Sequence, residues 1–495
     1  MKRRLLIFGA VVAVACIVAA LALLRSTVHS QNAVEKYKNQ LRAAGEKLTI
    51  AELVPPRPES GKNGVGIFSQ ATNYMNFGFS DILSTNSPFP MRFVISGKAM
   101  TVWKQPEIWY NSATNSWDDL GRALEMRGAA LDLLREIPEY QQIDFELDYK
   151  QGFDLVLPHL SKLKEAAQLL SADVIYKLHQ GDAAAAVTNI HVMLSLCKEW
   201  NEPLLISQLV RIALAQITFN AQWELLQSDG LSDSQLALLQ NDWMKLDFVG
   251  PMENTIGMER VLGSLSIEKW RKTPGLSTAW WASGPPPSGS SGDWMDELQE
   301  LGESIAGKTK MAFWRASWSY DDELWMLQAD QILIEAIRQI QKDGRFKNAL
   351  AEKDRKLKPL NLKMQRRIFV FLTLDLVNSI SPFDKMLAAE TAKQMVITAI
   401  ALKRFCLKHK HFPEKLTELT PEYLPAVPRD PVDGKPLRYY LNSDGTFTLY
   451  SIGKDAKDDR GDPNPVTGKS RNWLEGRDAV WPQPATAAEI QSFLK

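Results

Sequence analysis

The chain opens on its longest apolar stretch: Met1-Lys2-Arg3-Arg4 precedes Leu5 to Leu24, twenty residues without a charge. As a helix rising about 1.5 Å per residue, such a run spans about 30 Å, the hydrocarbon thickness of a bilayer. Polar residues then take over. From Gln31 to about Ile50, Val34, Tyr37, Leu41 and Leu48 punctuate charges, which predicts an amphipathic helix just outside the membrane. Val54-Pro55-Pro56-Arg57-Pro58 ends it, because proline lacks a backbone donor and restricts its neighbour. Residues 59–118 are rich in Gly, Asn, Ser and Pro, and runs such as Met91 to Ile95 fit either a strand or a buried loop.

Helical periodicity dominates from Ser116 to about Lys272. Leu169, Leu170, Ile175 and Leu178 mark one apolar face, and Gly181-Asp182 supplies a C-cap glycine followed by an N-cap aspartate. A second helix carries Ala186, Ile190, Met193, Leu194 and Cys197. Pro203 suits the first position of a third, running from Leu204 to about Gln227. Ser232-Asp233-Ser234-Gln235 reads as a capping box for a fourth, Leu236 to Lys245. Short connections predict antiparallel neighbours in a bundle or irregular solenoid. The Pro/Gly/Ser-rich stretch 273–292 has a linker's composition. Helices are expected again at about Asp293 to Ala306 and Asp321 to Lys342. Residues 343–367 read as basic and exposed, and a long helix follows from about Phe383 to His409.

Composition narrows the class. Of 495 residues, 23% are charged and 45% hydrophobic, which excludes a wholly disordered chain and a polytopic membrane protein. With 58 basic and 58 acidic side chains the net charge is zero, so nothing suggests a nucleic-acid partner. Cysteines at 16, 197 and 406 cannot build a disulfide framework, and the last two are expected to be reduced and buried. Three basic residues precede the apolar run and only Arg25 follows it closely, so the positive-inside rule places the body outside the cytoplasm. Two other readings are a cleaved signal peptide and, from Ala13-Val14-Ala15-Cys16, a lipoprotein processing site.

Beyond the long helix the pattern changes. Phe412-Pro413, Leu416, Leu419, Leu424-Pro425, Asp430-Pro431, Gly434, Pro436 and Tyr439 follow at fixed offsets, then Tyr450-Ser451-Ile452-Gly453 and Asp455. Arg438-Tyr439-Tyr440 and Phe447 to Gly453 alternate as strands do, with Ser443-Asp444-Gly445 as hairpin turn. Over about Glu390 to Pro463 this order resembles the C-terminal domain of the major pseudopilin of type II secretion systems. The resemblance implies a small α+β head and an acidic loop that binds calcium, here Asp455, Asp458, Asp459 and Asp462. The family's Gly-Phe processing site and helix glutamate have no counterpart between Met1 and Leu24. The whole layout is similar to membrane-anchored envelope proteins of planctomycete- and verrucomicrobia-type bacteria.

Other candidate chemistry is sparse. His409-Lys410-His411 with Glu414 offers zinc-type ligands, although cations also suit a helix C-terminus. His191 reads as a packed histidine, and Asp144, Glu146 and Asp148 as surface carboxylates. Gly-x-Ser-x-Gly, P-loop, His-Glu-x-x-His and Rossmann patterns do not occur. Among fifteen tryptophans, Trp314, Trp318 and Trp325 have the spacing of a packed helix stripe, while Trp280 and Trp281 are candidates for partner binding.

The expected architecture is mainly α: a transmembrane anchor over 1–25, a juxtamembrane helix and irregular segment over 26–118, and a helical domain over 119–272. After the linker come a helical continuation over 293–382 and a pseudopilin-like α+β module over 383–495. The expected role is a scaffold or interaction protein of the bacterial inner membrane. It would have protein partners and no cofactor apart from calcium. A periplasmic hydrolase or glycan-processing enzyme, and a ligand-binding module using the Trp-rich stretch, are the competing readings.

Overall fold

The computed structural model describes residues 2–76, 92–95, 97–110, 113–273, 314–364, 382–464, 477–485 and 487–494. Helix dominates, with fourteen α-helices and three small sheets among those residues. The stretch 274–313, with Trp280, Trp281 and the helix expected near Asp293 to Ala306, lies outside them.

The first helix, α1, is a single rod from Lys2 to Ala43. The segment expected as an amphipathic helix just outside the membrane is its second half, and that half packs into the body. Val34 and Leu41 are buried, Val34 against Ile267, Trp314, Trp325 and Met326. Thus the apolar positions read from the sequence face protein there. Among the described residues, no helix is long and apolar enough to cross a membrane. In the run Leu5 to Leu24 the described side chains are Val14, Ile17 and Val18, and they are 59%, 58% and 60% exposed.

After the short α2 (Ile50–Leu53) and α3 (Val65–Met75), a hairpin of β1 (Arg92–Ile95) and β2 (Lys98–Met100) precedes another of β3 (Ile108–Tyr110) and β4 (Ala113–Asn115). Two short helices follow, α4 (Trp117–Glu125) and α5 (Gly128–Arg135). The body then stacks α6 (His159–His179), α7 (Ala183–Glu199), α8 (Leu205–Leu226), α9 (Asp233–Lys245) and α10 (Gly250–Lys272). Local chemistry sets several ends. Gly181 turns the chain at φ +79°, and the Asp182 side chain accepts from Ala185 N–H at 3.0 Å. Ser232 Oγ accepts from Gln235 N–H at 3.2 Å and Gln235 Oε1 accepts from Ser232 N–H at 2.9 Å, the reciprocal box expected there.

The start of α8 is different. Pro203 lies outside the helix, and Leu205 N–H donates to Glu259 Oε1 of α10 at 2.9 Å, so a distant helix caps this one. The second half of α8, from Ile217 to Leu226, is buried on all sides, including Thr218, Gln222 and Glu224, whereas Ile206 and Gln216 nearer its start are exposed. A π-helical turn, Trp314–Trp318, leads into α11 (Ser319–Asp343), and α12 (Phe346–Met364) follows. Residues 343–367 were expected to be exposed, yet Phe346 and Ala349 of α12 are buried in the core. The long helix α13 (Pro382–His409) packs on both α8 and α9.

In the tail, β5 (Arg438–Leu441), β6 (Phe447–Ser451) and β7 (Ala479–Trp481) form an antiparallel sheet with Gly445 in the hairpin turn at φ +81°. Trp481 packs edge-on against Phe219 and Trp223 of α8 at 5.4 and 4.5 Å. Next, β8 (Gln483–Pro484) adds to β1 in parallel, and α14 (Ala487–Leu494) closes the described chain. One core therefore runs continuously from Phe68 to Trp481.

A candidate binding cleft and the buried polar groups

An open cleft of about 510 Å³ lies between α4, α5 and α6. Helical spacing builds its walls. On α4, Asp118, Arg122 and Glu125 recur at steps of four and three; on α6, Asp173, Tyr176 and Lys177 do so at three and one. Ser116 fixes the first turn of α4, since its Oγ accepts from Asp119 N–H while Asp119 Oδ2 accepts from Ser116 N–H. Gly121 lets the helices close: a Cβ there would lie 2.5 Å from Tyr176 Oη.

The floor is a buried polar knot. Arg135 of α5 donates to Asp173 Oδ2 at 2.8 Å and to Asn189 Oδ1 at 3.2 Å, and Asn189 Nδ2 donates to the same Asp173 oxygen at 2.7 Å. Asp173 and Asn189 are 2% and 0% exposed. Small-molecule pockets are mostly apolar with a few polar groups. This cleft instead presents Arg122, Arg135 and Lys177 beside Asp118, Glu125 and Asp173. Such a surface recognises a charged, hydrated segment better than an apolar ligand.

Two imidazole–carboxylate pairs, one buried and one half-buried, invite comparison with acid–base sites. His159 Nε2 lies 2.9 Å from Glu202 Oε1, and Ser207 Oγ donates to Glu202 Oε2 at 2.6 Å. A nucleophilic triad needs the imidazole between hydroxyl and carboxylate. Here the carboxylate stands between the other two, so the cluster ties α6 to α8 and activates no hydroxyl. His191 Nδ1 meets Asp242 Oδ2 at 2.6 Å across α7 and α9, and the nearby Ser195 Oγ donates to the His191 carbonyl at 3.0 Å. Asp144 and Asp148 each cap a local turn, accepting from Glu146 and Lys150 N–H.

Glu224 is the one acidic residue of α8, and it is fully buried. Its Oε2 accepts from Val102 N–H at 2.9 Å, its Oε1 has no partner, and burial pushes its carboxyl up to about 8. It is therefore neutral in the fold where an unfolded glutamate is ionised. Stability from this group is full below the usual carboxylate range and declines as pH rises toward about 8. Glu224→Gln keeps an acceptor and removes the titration. Between about pH 5 and 8 the melting temperature of the wild type is expected to fall a few degrees more than that of Glu224→Gln. Parallel melts of the two proteins check this; equal slopes refute it.

The remaining sequence-derived candidates are mostly used internally. Asp455 accepts from Lys457 N–H, Asp458 from Tyr450 Oη and Arg460 N–H, and Asp462 from Asn464 and Arg477. Asp459, with Asp458, instead faces the buried Asp478, whose carboxyl is raised to about 6 by burial and by these two charges. Among the described residues no group of three or more His, Cys, Asp or Glu is placed to hold a metal ion. Asp455, Asp458 and Asp462 thus act here as turn caps or ion-pair partners.

His409 and His411 pack on Phe405 at 4.2 and 5.7 Å. Cys197 is buried, with its thiol pushed up to about 12, and Cys406 is half-buried. Trp314 and Trp325 are buried and Trp318 is half-buried, as a packed stripe requires. Arg135, Asp173 and Asn189 escaped the sequence reading because they lie on three helices and form no local motif. In comparisons with family models, with curated proteins and with solved structures, no significant match to the chain was found.

Proposed function

We propose that this chain is a single-pass protein of the bacterial inner membrane whose periplasmic body acts by binding partner chains, as a scaffold alongside type II secretion or pilus-like systems. The observation that carries the reading is the continuity of α1. One helix joins the uncharged run Leu5 to Leu24 to a half that packs into the body through the buried Val34 and Leu41 and through the ion pair of Lys38 with the buried Glu323. Exposure of Val14, Ile17 and Val18 is unfavourable in water and suits lipid. A rigid joint of this kind holds the body at a set distance and angle from the bilayer.

Two surfaces support binding as the activity. The cleft between α4, α5 and α6 offers charges of both signs on a rigid floor. In addition, β5 pairs with β6 on one side only among the described residues, and Tyr440 and Leu441 there are exposed. A strand edge of this kind can accept an extended segment. The pseudopilin-like order of motifs in the tail is what connects the reading to secretion.

The test is topological. In membranes from the native host, the full chain is expected to resist alkaline extraction, while a chain starting at residue 26 is released. Protease added to intact spheroplasts is expected to digest the body. A body protected in spheroplasts, or a full chain released by alkali, overturns the reading.

A further inference from the structure

The direction of α1 within the body identifies which end faces the bilayer. Glu46 near its C-terminal end meets Arg338 of α11, with Arg260 of α10 3.6 Å away. Eight residues back, Lys38 meets Glu323 of α11 at 2.6 Å, and Glu323 also takes Arg271 of α10. Thus α10 runs antiparallel to α1 and α11 parallel to it. The C-terminus of α10, the π-helical turn Trp314–Trp318 and the start of α11 all lie at the end from which α1 leaves.

The distance matches a membrane interface. Ser30, 5% exposed, is the last buried side chain described toward the N-terminus of α1. Leu24, the end of the uncharged run, is six residues further, about 9 Å along the helix. A bilayer's headgroup layers add about 5–8 Å to each side of its hydrocarbon core. With the run inserted, this end of the body stands at the outer edge of the headgroups, within reach of long side chains.

Its side chains suit that level. Trp270, Trp318 and Tyr320 are partly exposed there. By contrast Trp200, Trp223, Trp243, Trp314 and Trp481 are at most 1% exposed. Indole and phenol rings combine an apolar body with a polar edge, which is why they collect at membrane interfaces. Nearby charges are matched: Lys269 pairs with Asp154 and Lys272 with Glu268. Attraction to anionic lipid is therefore not the driving force.

We propose that Trp270, Trp318 and Tyr320 form an interfacial belt that seats this end of the body on the lipid headgroups, in neutral as well as anionic bilayers. The proposal rests on the anchor reading above. It also adds that the body lies against the membrane instead of standing off on its helix.

The experiment uses the full, unaltered chain in phosphatidylcholine nanodiscs containing a lipid with a photoreactive headgroup. Cross-links are expected within 265–273 and 314–320, and not within 233–245. Incorporation with cross-links confined to residues 1–30 overturns the belt and leaves the anchor standing; failure to enter the disc overturns both. As a second measurement, brominated lipid is expected to quench tryptophan fluorescence less in Trp270→Phe/Trp318→Phe than in the wild type. Equal quenching in a correctly folded double variant refutes the belt.

Discussion

Replacing Glu46 with alanine is expected to loosen the second half of α1 from the body at a cost of about 3–5 kcal/mol, the range for removing one partner of a buried ion pair. Glu46 is 8% exposed and accepts from Arg338 at 2.6 and 3.0 Å and from Gln331 at 2.9 Å. Arg260, 1% exposed, stands 3.6 Å away and also donates to the Lys47 carbonyl and to Gln331. Without the carboxylate, Arg260 keeps its charge in a dry site with only neutral acceptors bonded to it. Burial opposes ionisation of Glu46, but Arg338, Gln331 and the Arg260 charge outweigh it and hold the carboxyl below its usual range. The clamp's contribution is therefore full above the usual carboxylate pKa and is lost as pH falls through the lowered one. Glu46→Gln retains an acceptor and should lose less. Hydrogen exchange over residues 26–43 reads the effect directly, and unchanged protection in Glu46→Ala would refute the clamp.

An effect of similar size is expected at Asp430, in the turn between Pro428 and Leu437. Its carboxylate is 0% exposed and accepts four hydrogen bonds: from Val432 N–H and Ser451 Oγ on Oδ1, and from Ile452 N–H and Arg438 Nη1 on Oδ2. This one side chain joins the Asp430-Pro431 turn to the Ser451-Ile452-Gly453 end of β6, which explains why both motifs occur together. Alanine strands all four donors, at a cost of about 3–5 kcal/mol. Asparagine is expected to be nearly as harmful, because its amide nitrogen faces the Ile452 and Arg438 donors. The damage should reach α12, whose Phe346 and Lys347 N–H groups donate to the Pro431 and Val432 carbonyls. Urea unfolding together with exchange at 346–350 measures both. A loss below about 1 kcal/mol would show that water satisfies the stranded groups.

Local signals carried much of the architecture. The Gly181-Asp182 cap, the Ser232–Gln235 box and the Ser443-Asp444-Gly445 turn act between residues within a few positions of one another, so sequence order already contains their geometry. The apolar period located α8 and α13 to within about one residue and α9 to within about three, its start being Asp233 and not Leu236. Where a distant group intervenes, the reading moved. Glu259 starts α8 beyond Pro203, and the apolar face of α12 is buried although its composition is basic.

The partners of buried charges lay beyond any sequence pattern. Glu46 finds Arg338 across 292 positions, Lys38 finds Glu323 and Arg135 finds Asp173, at separations with no helical or strand period. Before folding, each of these is simply a soluble charged residue. Chain order settled the long helices, the caps at Asp182 and Ser232 and the tail hairpin, because those depend on neighbours in the chain. Packing alone settled how α1 is gripped, where the cleft opens and which carboxyls stay neutral, because desolvation and ion pairing depend on which surfaces meet.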